Sequence, residues 1–234
     1  MFDVRHYETI DSTNDEIRRL MAAGAGHGTV VHADEQTAGR GRLSRVWVSR
    51  PGNLYMSILL QPDVPVARRS ELSFVAAIAV ADTVRALLPK QARAMLKWPN
   101  DVLVDGAKIA GILLEQIGDA TIIGIGLDVL HAPSDVGYKT TSIAASGGIA
   151  TVDGARDILL ARLEQHLQSW QQDGFAVIRE AWLDRSYPIG ARLRISVQGA
   201  TFEGDFAGLD PDGALLLDDH GERRRIVAGD VGAA

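Results

Sequence analysis

The spacing of apolar positions changes along this chain, and each change marks a different kind of element. From Asp11 the pattern is helical. Ile17, Leu20 and Met21 share one face, Thr13 and Glu16 have capping-box spacing, and Gly24 supplies a stop. Thr29 to Ala33 reads as a short strand, and a polar stretch separates it from a second, Asn53 to Leu60. Glu71 to Leu88 is predicted as a long alanine-rich helix ended by Pro89. The apolar runs that follow are short: Ala94 to Trp98, Val102 to Val104, Lys108 to Gln116 and Thr121 to Leu130. Between them stand Pro99-Asn100, Asp105-Gly106 and Gly118-Asp119, the turn signals of a β-meander. Helical spacing returns over 153–172 and 175–185, with Leu159, Leu160, Leu163 and Leu167 on one face.

After Pro188 the helices stop. Arg192 to Val197, Thr201 to Ala207, Ala214 to Leu217 and Arg223 to Val227 read as strands, turning at Gly199-Ala200, Asp212-Gly213 and His220-Gly221. The expected fold class is therefore α+β, with a main domain over 1–186 and a small all-β domain over 187–234. The bulk composition, 46% hydrophobic and 23% charged, is that of a soluble globular protein. The chain has no cysteine, which excludes disulfides, a thiol nucleophile and thiolate metal sites and agrees with a reducing cytoplasm. No apolar run is long enough to span a bilayer, and the N-terminus lacks a signal core. A formal charge of −6 and a pI near 5.5 argue against a dedicated DNA or RNA binder.

Charge is distributed unevenly. No acid occurs between Gln36 and Gln61, yet Gly39-Arg40-Gly41-Arg42-Leu43-Ser44-Arg45 is dense in arginine and is followed by Trp47. A local cation cluster in an acidic chain points to a small anionic ligand, with arginines as planar forks for phosphate or carboxylate. Read as function, this loop is an anion-binding lid; read as structure, it is a solvated loop with Trp47 in ordinary packing. The lysine of Lys97-Trp98-Pro99-Asn100-Asp101 ends an apolar strand before a rigid turn. It is placed either to neutralise an anion or simply to sit at a strand edge, and Asn100 and Asp101 are candidate partners of Mg²⁺ or ligand. Gly111 interrupts one apolar strand, and Gly124 and Gly126 alternate on another. Such bare positions admit a flat ligand or close packing. Ser12, Thr13, Asn14 and Gln36 are neutral donors and acceptors suited to a small polar head group, although the first three also make a helix N-cap. The six histidines show no ligand spacing, and no Ser/His/Asp arrangement stands out.

In this order, these segments resemble the biotin–protein ligases over nearly the whole chain, from Asp11-Ser12-Thr13-Asn14 through the arginine loop, Lys97 to Asp101, Lys108 to Glu115, Gly124 to Val129 and Thr141-Ser142-Ile143 to the C-terminal strands. The resemblance implies a catalytic domain like class II aminoacyl-tRNA synthetases and an SH3-like C-terminal barrel. It implies that ATP and Mg²⁺ activate biotin as biotinyl-5′-AMP, and that a lysine of a biotin carboxyl carrier domain then takes the acyl group. It places Ser12, Thr13, Asn14, Gln36, Arg40, Gly41, Arg42, Lys97, Gly111, Gly124 and Gly126 at biotin. Arg40, Arg42, Arg45, Trp47, Asn100, Lys108 and Asp128 then stand at ATP or the adenylate, with Arg42 and Lys97 as the catalytic cations and Asp101 as a metal ligand. Two positions depart from the family pattern: Ser44 stands where glycine is usual, and Asp128 where asparagine is usual. A carboxylate at 128 would repel an adenylate unless protonated, turned away or metal-bound. With no room before Asp11 for a helix-turn-helix, the expectation is an enzyme without repressor activity; a homodimer agrees with the family. The competing readings are a lipoate or octanoate ligase and a non-catalytic biotin sensor, while cysteine-dependent octanoyl transfer is excluded.

Overall fold

The computed structural model describes residues 2–134, 136–197, 199–219 and 221–233. Among the described residues, twelve strands and four α-helices follow the order β1 Asp3–Ile10, α1 Thr13–Ala22, β2 Thr29–Gln36, β3 Leu54–Leu60, α2 Leu72–Leu87, β4 Ala94–Lys97, β5 Asp101–Val104, β6 Ala107–Ile117, β7 Ala120–Leu127, α3 Val152–Asp173, α4 Phe175–Leu183, β8 Arg192–Val197, β9 Ala200–Leu209, β10 Leu215–Asp219, β11 Glu222–Ile226 and β12 Asp230–Ala233. The first sheet has the order β1-β2-β3-β7-β6-β5-β4; β1 and β2 are parallel and the other pairs antiparallel. The second is antiparallel, in the order β11-β10-β9-β8-β12. This is the α+β organisation expected from the sequence.

Burial explains the layering. Every residue of β3 is buried, because helices cover both faces of the first sheet at its centre. On one side Ile17 of α1 packs with Val31, Leu59 and Ile122. On the other, α2 is buried almost all round between the sheet and α3, whose Leu159, Leu160, Leu163 and Leu167 form the predicted inward face. Thr151 caps α3 by accepting from Gly154 N at 3.1 Å, and Gly174, at φ 80°, separates it from α4.

The two sheets share one apolar core. Leu193, Ile195, Phe206, Leu215 and Leu217 of the second belong to the same buried cluster as Ile78, Leu96 and Ile125 of the first. At the junction Phe74 meets Phe175 and Trp182 edge-on, with ring centroids 5.3 and 5.7 Å apart. Trp98 Nε1 donates to Gly213 O at 3.1 Å. A side chain at 213 is barred twice over: φ is +89°, and a Cβ would lie 2.7 Å from the Phe74 ring.

Two sequence expectations need correction, and a third is not covered. No capping box forms at α1: Ser12 is the N-cap, and Glu16 instead accepts from the Tyr7 hydroxyl at 2.8 Å and pairs with Arg19. Strands β1 and β12 went unpredicted. Both lie at sheet edges, and the sequence of β1 carries no strict apolar alternation. The expected His220-Gly221 turn lies partly outside the described residues, since His220 is not among them.

His32 on β2 is fully buried, with neither ring nitrogen hydrogen-bonded. Its ring lies 5.2 Å from that of His6. Burial lowers its pKa below the ordinary 6.5, helped by Arg156 and His6 and opposed by Asp34 and Asp153. The unfolded chain therefore takes up this proton first, and stability that is complete above pH 6.5 is lost as the pH falls below it. His32→Asn should flatten the decline of the urea midpoint between pH 7 and pH 5; a parallel decline in parent and variant would show that His32 does not carry it.

Candidate functional site

The first turn of α1 begins beside the end of β2. Thr13 donates to Gln36 Oε1 from both its backbone N, at 2.9 Å, and its hydroxyl, at 3.0 Å. Gln36 Nε2 donates to Ser49 Oγ at 2.9 Å, and Ser49 in turn donates to Trp47 O at 3.0 Å. This relay ties the helix to the far end of the arginine segment. Beneath it, Ser57 Oγ lies 2.6 Å from Thr13 Oγ1 and 2.5 Å from Asn14 Oδ1, and Asn14 Nδ2 donates to Glu115 Oε2 at 2.7 Å. Ser57 and Glu115 were missed as site residues, although a serine within the apolar run of β3 and an acid closing that of β6 were the visible signals.

The segment from Gly39 to Ser49 folds over this platform. Trp47 N donates to Gly39 O at 2.9 Å, and bridges pair Arg40 with Val46 and Gln36 with Ser49. At its tip Leu43 and Ser44 adopt φ of 54° and 59°. For residues with a Cβ this conformation costs roughly 1–2 kcal/mol each, so the position flagged as a departure from glycine is one where glycine would be relaxed. Trp47 lies across the bare strands. A Cβ at 111 would be 2.9 Å from its indole, one at 126 would collide with it, and one at 124 would collide with Asn14. The missing side chains therefore make room first for Trp47 and Asn14, and a flat ligand must share that platform.

One cavity is lined by Ser12, Thr13, Asn14, Gln36, Arg40, Gly41, Arg42, Arg45, Trp47, Asn100, Asp101, Lys108, Gly111, Gly124 and Gly126, all predicted site residues, and also by Tyr138 and Asp230. Two predicted residues stand apart. Lys97, half-buried at the end of β4, does not line it; its ammonium has no hydrogen-bond or ion-pair partner among the described residues. Asp128 lines a smaller adjoining cavity with Trp47, Lys108 and Tyr138.

The cations of the main cavity differ in one respect. Arg40 pairs with Asp15 at 2.8 Å and Glu115 at 3.5 Å, Arg45 with Asp230, and Lys108 with Asp101 at 2.7 Å. Arg42 has neutral partners only: it donates to Asn100 Oδ1 at 3.1 Å and, more weakly, to Gly229 O at 3.5 Å. Asn100 is itself fixed by donating to Ile112 O at 2.7 Å. Among the described residues, Arg42 is thus the cavity cation without a carboxylate, and a site prepared for an anion keeps such a charge.

Asp128 is 3% exposed. Asn53 Nδ2 donates to its Oδ1 at 3.1 Å, while Asn53 Oδ1 accepts from the backbone N of Val129, Leu130 and His131. Burial pushes the Asp128 carboxyl up to about 8 against the pull of Lys108. It is therefore protonated at neutral pH, which removes the repulsion that its charge would set against an adenylate.

Fold and site together define an α+β protein with a polar cavity under an arginine-bearing roof. Residues 7–129 match the biotin/lipoate A/B protein ligase family, and residues 189–231 match the biotin protein ligase C-terminal domain. A biotin–[acetyl-CoA-carboxylase] ligase of Paracoccus denitrificans is 37% identical over 94% of this chain and 96% of its own length. A bifunctional ligase/repressor of Bacillus subtilis is 35% identical over 97% of this chain and 72% of its own. The biotin protein ligase of Aquifex aeolicus, solved with biotin and ATP, superimposes with a TM-score of 0.86 at 26% identity, covering 99% of this chain and 98% of that one. The chain belongs to the biotin/lipoate A/B protein ligase family.

The raised Asp128 pKa has a consequence for stability. Between pH 3.8 and about 8 the folded protein keeps a proton that the unfolded chain has released, so this group makes stability fall as the pH rises through that window. Asp128→Asn preserves the shape and the bond to Asn53 without the titration. Its urea midpoint should exceed the parent's at pH 8, and the advantage should shrink toward pH 5; a pH-independent difference would contradict the buried acid.

Proposed function

We propose that this chain is an ATP-dependent ligase that activates biotin as biotinyl-5′-AMP and transfers the biotinyl group to a lysine of a biotin carboxyl carrier domain. The observation that carries this reading is Arg42, which among the described residues has no carboxylate partner, facing a cavity whose other cations are paired with acids and whose remaining walls are neutral polar groups and a tryptophan-covered strand surface. The first step brings two anions together. A biotin carboxylate oxygen attacks the α-phosphorus of ATP, the bond from that phosphorus to the bridging oxygen breaks, and pyrophosphate leaves. Arg42 is suited to hold the developing charge, as fixed cations do in phosphoryl transfer. Ser12, Thr13, Asn14 and Gln36 offer the donors and acceptors for the ureido head, Lys108 on the cavity wall is a cation for the carboxylate or phosphates, and Lys97, opposite Asp101 at the cavity's margin, is a second such cation outside its present lining. In the second step a neutral lysine amine attacks the acyl carbon, the acyl–oxygen bond breaks, AMP departs and the nitrogen loses a proton. The roof from Gly39 to Ser49 excludes water that would otherwise hydrolyse the anhydride.

Mg²⁺ fits this site as a companion of the triphosphate. Among the described residues no group of three or more His, Asp or Glu is placed to hold a metal, and Asp101 is engaged by Lys108. When bound, the ion would neutralise phosphate charge, with Asp101 as its protein ligand once Lys108 turns to the substrate. A biotin-dependent carboxylase as acceptor and a cytoplasmic location belong to the same proposal. No helix among the described residues is long and apolar enough to cross a membrane.

The test is exchange of labelled pyrophosphate into ATP. It should require biotin, and Arg42→Gly should reduce it on the order of 100-fold, the size of effect seen when one charge-stabilising group is removed. Exchange with lipoate but not biotin would overturn the substrate, and biotin binding without exchange would leave a sensor.

A further inference from the structure

The roof of the cavity is held from the second sheet. Asp230 opens β12, which pairs with β8, and it is the only described residue of that sheet that lines the cavity. Its carboxylate forms an ion pair with Arg45, three residues past the uncompensated Arg42. Gly229 O, the residue before it, accepts from Arg42 itself. The second sheet thus touches the roof at both of its distal arginines, while Arg40 is held by Asp15 and Glu115 of the first part of the chain.

The contact lies where the roof needs holding. Leu43 and Ser44, between the two arginines, sit in the left-handed region, with Leu43 73% exposed; Val46 beyond them is 79% exposed. Neither side chain is anchored by burial, so the tip is free to peel away unless something outside the loop retains it. The retaining group is on a fixed support, because β8 and β12 contribute Ile195 and Val231 to the core shared by both sheets.

We infer that Asp230 is a positioning residue of the C-terminal part of the chain: by pairing with Arg45 it latches the 39–49 roof shut and slows escape of the activated intermediate. This rests on the adenylating reading for its consequence, but the latch itself is a property of the protein without ligand. The pair is half-exposed, with side chains 58% and 38% accessible. Exposed pairs have modest energies, so the expected effects are roughly two- to fivefold.

The experiment compares parent, Asp230→Asn, Arg45→Gln and the double variant. Thermolysin, which cuts before residues such as Leu43 and Val46 and is indifferent to the arginines, reads roof opening without ligand. Each single variant should be nicked within 42–46 roughly two- to fivefold faster with an unchanged thermal midpoint, and the double variant no faster than either single one. Asp230→Glu should restore the parent rate. On the purified protein preloaded with biotin and ATP, Asp230→Asn should release biotinyl-AMP faster by a similar factor. Unchanged nicking in Asp230→Asn, additive effects in the double variant, or unchanged release of adenylate would each overturn the latch. If the parent forms no adenylate at all, the functional reading fails while the nicking assay still decides the latch.

Discussion

The site depends on how positive charge is compensated around one cavity. Crowding Arg40, Arg42, Arg45 and Lys108 together would be repulsive in a partly desolvated pocket, yet each except Arg42 has an acid beside it. Those acids come from four elements of the chain: Asp15 on α1, Asp101 on β5, Glu115 on β6 and Asp230 on β12. The pairing fixes the roof in place and, among the described residues, leaves Arg42 as the cavity cation without an acid. That charge is held by neutral carbonyl oxygens, which orient Arg42 without cancelling it. A ligand anion is then the missing member of an otherwise balanced set.

The rest of the fold serves to hold these partners at fixed distances. Asn14, Ser57 and Glu115 form a partly buried bridge across α1, β3 and β6. Phe74, Trp98, Phe175 and Trp182 weld the second sheet to the first, so Asp230 is delivered by a packed scaffold and not by a swinging appendage. Asp128 shows the same economy in another form. Where a charged carboxylate would oppose the ligand, desolvation by burial favours its neutral form.

Much of this was legible in sequence. The alternation of apolar runs placed β2 to β11 and all four helices, because buried strands and amphipathic helices leave their period in the side chains. The arginine segment stood out by its lack of acids, and its sequence neighbours converge with it on one cavity. What was not legible has a common cause. β1 and β12 are edge strands whose pairing is carried by the backbone, so their side chains encode little, and Asp230 was invisible as a site residue for the same reason. The glycines of β6 and β7 were readable as bare positions, but only the packing reveals that Trp47 and Asn14 occupy the space. Ser44 was recognisable as unusual, and its positive φ gives that impression a physical meaning.

The central claim is that Arg42, alone among the cavity's arginines, carries a charge kept for the ligand. It is tested most directly by calorimetric titration with a non-hydrolysable biotinyl-adenylate analogue, comparing Arg40→Gln, Arg42→Gln and Arg45→Gln. Loss of a charged hydrogen bond is worth about 1.5–3 kcal/mol, so Arg42→Gln should weaken binding by about 10- to 100-fold and exceed the other two clearly. Equal or greater weakening by Arg40→Gln or Arg45→Gln would contradict the account.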